Sequence, residues 1–402
     1  MVHHRRPAPV AYTINFAVHE MTQPPAYKRL AVPGCCALLF ALNVYVAHRL
    51  FVTEFKTHLE TNEGSFIAIA RFVAAHPRGL LWWPLWDLGM PFQHTYFPLI
   101  PALAAAWSRV SGFSPALALH ETGAFFYCLG PVTLFLMAWT ISKRTAPSFF
   151  AALAYSSLSP CAWFFPVLGP DMGGNVWNAR RLQSLCYYGE DPHIATVAFL
   201  PLATTFVYLA LKRGGAGYFL LSVIATAAVV LSNAFGAVDL FLMSTCMLAV
   251  VNRDRLPGNA ALVVAIGATA YLWASPAIPP SLLQVIRVNS ALVGGDYRFT
   301  SRSLMGLAIL AAGAALLWLA ANRWKAPEHL SFALLAAWVF FAIPALAFYF
   351  DIFVFPQPHR YQVEMEIGFC LLSAFGGGLL LDRIPRPARA AVLALLLVFA
   401  YR

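Results

Sequence analysis

Three short stretches carry the residues whose types and spacing could do chemistry. HLETNEGSFIAIARF, residues 58–72, sets Glu60 and Glu63 three apart, ahead of a glycine and an apolar run. DMGGNVWNARRLQSLCYYGEDPH, residues 171–193, holds Arg180 and Arg181 and closes on Glu190, Asp191 and His193. DIFVFPQPHRYQVEME, residues 351–366, carries His359 and Arg360 ahead of Glu364 and Glu366. Paired guanidinium groups match the oxygens of a lipid phosphate bidentately. An acid-acid-His cluster can act as a general base or hold a hard metal ion. Each stretch also has a plainer reading: a solvated loop carboxylate, a helix cap beside headgroup-binding arginines, and an interfacial anchor.

The local pattern says what positions these groups. Asn62 is expected to N-cap a helix starting at Glu63, whose carboxylate would then sit in the first turn, where the helix dipole favours its ionised form. Phe66, Ile69, Ala70 and Val73 recur on one face, as in an amphipathic helix on a membrane surface. Trp82, Trp83, Trp86 and Tyr96 follow, broken by Gly and Pro, in a stretch that also reads as an interfacial aromatic belt. Pro192 fixes the entry to a helix behind Glu190. Asp296 and Arg298 belong to a further outer loop, and Glu121 and Asp239 read as end-of-helix residues.

The rest of the chain is a membrane scaffold. Of its 402 residues 60% are hydrophobic and 11% charged, against roughly 25% charged in soluble domains. Apolar runs at 30–52, 117–141, 147–168, 193–211, 216–233, 236–251, 258–276, 302–321, 329–350, 363–381 and 388–401 predict an all-α polytopic protein of about 11 spans. Residues 97–111 are apolar but short, with Pro98 and Pro101 at their start. If they do not cross, fifteen of the 27 basic residues fall on the cytoplasmic side, in the tail and in the turns at 143–144, 212–213, 253–255, 323–325 and 383–389. The acids then gather outside. Residues 1–28 read as a disordered cytoplasmic tail, 29–402 as the membrane domain and 53–116 as its large first outer loop. The apolar run from Ala388 reaches Tyr401-Arg402 without a flanking segment, which suggests a truncated chain. The basic residues form no stripe, which argues against nucleic acid despite a net charge of +10. The seven cysteines show neither metal spacing nor a disulfide framework.

The first loop resembles a known family. Glu63-Gly64, Arg71, Trp83-Pro84-Leu85-Trp86 and Tyr96-Phe97-Pro98-Leu99 are similar to the first external loop of GT-C-type membrane glycosyltransferases. The layout is nearest to the multi-pass family labelled "6-pyruvoyl-tetrahydropterin synthase-related", although no soluble pterin-synthase domain is present. The chain departs from that family in carrying Glu63 for an Asp and Ile67 where a His often stands. The resemblance implies interfacial helices in the first loop and a loop carboxylate as general base or metal ligand. It also implies a sugar donor carried on polyprenyl phosphate and an Arg near position 360.

The resulting expectation is a lipid-linked glycosyl transferase of the cell membrane, its N-terminus cytoplasmic and its site extracytoplasmic. Glu63, then Glu190 or Asp191, would take the acceptor proton. Arg180, Arg181, Arg360, His193 and His359 would bind the phosphate. Glu63, Asp191 and His193 would hold Mg²⁺ or Mn²⁺. Two alternatives stay open: a non-catalytic lipid- or glycan-binding member of the same fold, and a transporter or flippase, which would need polar residues through the midplane. Glu63, the Glu190–His193 cluster and Arg360 are expected to converge on one cavity. The sugar, the acceptor and the oligomeric state are not legible at this level.

Overall fold

The computed structural model describes residues 26–385 except 56–60, 79, 87, 170–178 and 294–296. Glu60, Asp87, Asp171 and Asp296, the tail before residue 26 and the run at 388–401 lie outside them. The chain is a polytopic all-α membrane protein. Its one strand pairing is a two-residue hairpin, Trp82–Trp83 against Met90–Pro91, among the described residues.

Helix α1 spans Ala26–Ala47, and α2 (Glu63–Ala75) and α3 (Leu99–Ser111) lie in the first loop. At 13 residues, α3 is about 20 Å long, too short to cross a hydrocarbon core of roughly 30 Å. It buries Ile100, Ala104 and Ala105 against its neighbours, as the non-crossing reading of 97–111 requires. Helices α4 (Pro115–Ser142) and α8 (Asp191–Arg213) form the central pair. They run parallel: a Cβ on Gly123 would strike Asp191, and one on Gly130 would touch Ala198. The missing side chains leave room for Asp191 and Arg181, and the Thr133 hydroxyl donates across to the Ala198 carbonyl at 2.8 Å.

Seven segments are long and apolar enough to cross a membrane, among the described residues. These are the first helix with its trailing turn, α4, α8, α11 (Leu256–Ala274), α13 (Ser301–Arg323), α14 (Glu328–Phe350) and α15 (Gln362–Asp382) with its leading turn. Three of the eleven expected spans come out differently. The run 147–168 is a 13-residue α5 (Thr145–Ser157), then extended chain at Leu158 and a four-residue α6 (Cys161–Phe164). Pro160 lacks an N–H, and a proline biases the residue before it away from the helical region. The runs 216–233 and 236–251 become α9 (Ala216–Ser232) and α10 (Ala234–Leu248), of 17 and 15 residues. The break between them is Asn233, extended in backbone, whose side chain accepts from Phe235 N–H at 3.0 Å. Short helices α7 (Arg180–Cys186) and α12 (Pro280–Val293) complete the set.

The two ends differ in chemistry. Lys212 pairs with Glu328 at 2.6 Å and Arg144 with Asp382, gathering the basic turns at one end. The starts of α2, α4, α8, α10 and α15 face the other end, where the acids are.

Candidate functional site

Glycine 189 decides how the acid-rich end closes. Its φ is +64°, and a Cβ there would lie 2.8 Å from that of Glu63. With no side chain, residues 187–190 fold against the start of α2, and Asn62 N–H reaches the Tyr188 carbonyl. The helix does begin at Glu63, but Asn62 is not its side-chain cap. Its Nδ2 instead donates to Glu190 Oε1 at 2.8 Å. The other oxygen of Glu190 accepts from Arg360 Nη1 at 2.9 Å. One carboxylate is thus held by a neutral amide from the first loop and a guanidinium from the last third of the chain.

Asn62 and Arg360 also line a cavity of about 1070 Å³, walled mainly by apolar residues of α9 to α12. Tyr96 and Gln357 stand beside them in the lining. Burial chiefly, and the Glu190 charge next, push the Tyr96 hydroxyl above its ordinary pKa, partly offset by Arg360, so it remains a donor at any physiological pH. The site is therefore a polar corner on a large apolar chamber.

Behind that corner lie two more pairs. Glu63, 6% exposed, is turned from the cavity toward α4, where its Oε1 meets His120 Nε2 at 2.7 Å. His120 Nδ1 is 2.6 Å from the Thr53 carbonyl, which can only accept, so that nitrogen carries a proton. His193 Nε2 meets Glu364 Oε1 at 2.7 Å, and Asp239 of α10 packs against Glu364. His193, Asp239, Glu364 and Glu366 are all buried. Burial sets Glu364 and Glu366 inside the bundle rather than at the water interface, and Asp239, five residues after the start of α10, joins them there.

Other expected site residues go elsewhere. Asp191 is fully buried against Gly123 at the α4–α8 contact. Arg181 is 0% exposed, clamped between the rings of Tyr127 and Tyr155 at 4.4 and 4.2 Å. Its Nη1 donates to the Tyr127 carbonyl at 3.0 Å, so no lipid phosphate can reach it in this arrangement. Arg180, on α7, bonds Gln183 and lies over the Tyr188 ring. His359 is exposed beside Phe353 and joins none of these pairs. Glu63, Asp191 and His193 do not meet. No group of three or more His, Cys, Asp or Glu is placed to hold a metal ion, among the described residues.

The chain is similar to the crystal structure of ArnT from Cupriavidus metallidurans in the apo state, at 16% sequence identity and a TM-score of 0.48. The match covers 90% of this chain and 63% of that one, so the chain spans less than two thirds of ArnT's length. No family model and no curated protein matches the sequence.

Sequence reasoning missed His120 and the side-chain role of Asn62, and named Glu364 and Asp239 without giving either a role in the site. A signal existed for three of them: an ionisable residue inside an apolar run is expensive, and defaults to a functional or paired position. For Asn62 there was none, because a cap and a carboxylate partner use the same residue type.

Proposed function

We propose that the chain transfers a sugar from a polyprenyl phosphate donor to an acceptor, at the acid-rich end of the bundle and on the extracytoplasmic face. One observation carries the reading: the Asn62 and Arg360 side chains that hold Glu190 form a polar corner on an apolar chamber of about 1070 Å³. An isoprenoid tail needs such a chamber, and its phosphate needs a cation at the mouth. The first-loop resemblance to GT-C enzymes supports the same substrate class.

The pairing suggests an order of events. The Arg360 side chain is 33% exposed and has one carboxylate partner, so a donor phosphate can draw it away from Glu190. Glu190 Oε2 is then free, while Asn62 still holds Oε1. The carboxylate takes the acceptor proton as the acceptor oxygen bonds to C1 and the C1–O bond to phosphate breaks. Arg360 neutralises the departing phosphate. Glu190, rather than Glu63 or Asp191, is assigned the base because Asn62 and Arg360, which hold it, line the cavity, whereas Glu63 turns to His120 and Asp191 packs against Gly123. Among the described residues no group of three or more His, Cys, Asp or Glu is placed to hold Mg²⁺ or Mn²⁺.

The test supplies membranes holding the protein with radiolabelled polyprenyl-phosphate sugars and follows label leaving the lipid. Turnover that vanishes in Glu190→Gln supports the reading. The turning of Glu63 toward His120 favours a second one, a lipid-linked-glycan binder without turnover. Donor retention by wild type with no label released under any acceptor would select it.

A further inference from the structure

A second cavity, of about 600 Å³, lies between α3 and α4. Leu103, Trp107 and Val110 form one wall, and Phe125 and Phe126 the other. Its size falls within the roughly 300–1,000 Å³ of small-molecule sites. One carboxyl side chain belongs to it. Glu121 Oε2 accepts from the Trp107 indole N–H, and its Oε1 has no hydrogen-bond partner among the described residues. No Lys, Arg or His pairs with Glu121 there. The Thr122 hydroxyl beside it is spent on the Ala118 carbonyl at 2.7 Å.

The height of Glu121 matters. With 28 residues, α4 is about 42 Å long, so it overhangs a hydrocarbon core of roughly 30 Å by about 6 Å at each end when centred. Glu121 stands six residues after Pro115, about 9 Å along the axis, hence within about 3 Å of the hydrocarbon boundary. A carboxylate at that depth, with apolar walls and no protein counter-charge, needs a cation that donates hydrogen bonds.

We propose that this groove binds a phospholipid with a primary-ammonium headgroup, its chain along the Leu103–Val110 face and its ammonium on Glu121. A quaternary ammonium has no N–H to donate, and an anionic headgroup is repelled. The proposal is independent of the glycosyl-transfer reading, since none of these residues lines the larger cavity.

The test reconstitutes the full chain into nanodiscs of equal phosphatidylethanolamine, phosphatidylcholine and phosphatidylglycerol, then counts retained lipid by native mass spectrometry after mild extraction. Wild type is expected to favour the ethanolamine lipid about tenfold, as one charge-assisted hydrogen bond allows. Glu121→Gln should reduce its retention to that of the choline lipid. Val110→Trp, which fills the groove and spares the carboxylate, should lower retention too. Equal retention of all three lipids by wild type overturns the proposal, as does a preference that survives either substitution. If Glu121→Gln does not fold, Val110→Trp decides alone.

Discussion

Arg181 and Arg360 invite the same reading from sequence, a guanidinium waiting for a phosphate, and the fold uses them oppositely. Arg181 is sealed between two tyrosine rings, with its donors aimed at the backbone carbonyls of α4 and α5 and at Asn43. Arg360 keeps a third of its side chain in the open and shares one carboxylate with an amide. A cation whose donors are taken by fixed carbonyls joins helices. One with spare donors beside a chamber can be used.

The contrast can be broken or sharpened by substitution. The largest effect should come from Glu190→Gln, which is expected to lower transfer by about 10²–10⁴-fold, the usual worth of a general base, with the unfolding midpoint little changed. Arg181→Met should do the reverse and cost about 3–5 kcal/mol of stability, as breaking buried charge arrangements does, seen as a collapse of the thermal midpoint in detergent. Arg360→Met, on the same assay pair, should weaken donor use and cost only about 1–3 kcal/mol, since Asn62 still holds Glu190. An equal loss of stability in the two arginine variants would erase the distinction. His120→Leu removes the partner of Glu63 Oε1 and is expected to cost about 1–3 kcal/mol. The smallest effect separates two roles for Asn62. As a cap, Asn62→Asp is nearly neutral, whereas a carboxylate placed 2.8 Å from that of Glu190 should lower stability by about 1 kcal/mol and weaken further at low salt.

The long spans were legible because a run of about 20 apolar residues has few alternatives in water. The start of α2 at Glu63 and the break at Asn233 were legible for local reasons, a polar residue ahead of an apolar run. The fracture of 147–168 was not, because hydropathy averages over Pro160 while the backbone cannot. The site was half legible. Glu190, Arg360 and His193 stood out by type, but their partners lie 128, 170 and 171 positions away, distances at which a single sequence holds no pairing signal. Arg181 and Asp191 failed for the opposite reason: burial depends on which helix lands opposite, and Gly123 and Gly130 gave no local hint that they would.

The backbone at 351–357 has a consequence for how the chamber can change shape. Asp351 and Gln357 both adopt left-handed φ angles, +53° and +48°, which cost a non-glycine residue about 1 kcal/mol each. They bracket the segment that delivers Arg360. By contrast, α4 and α8 pack tightly at Gly123 and Gly130 and are cross-linked by Thr133. The two regions thus differ in compliance. Adjustment to a bulky guest falls on the 351–361 strap, while Glu190 and His193, rooted at the start of α8, serve as the fixed frame of reference. Amide exchange should be faster across the strap than along the facing turns of α4 and α8.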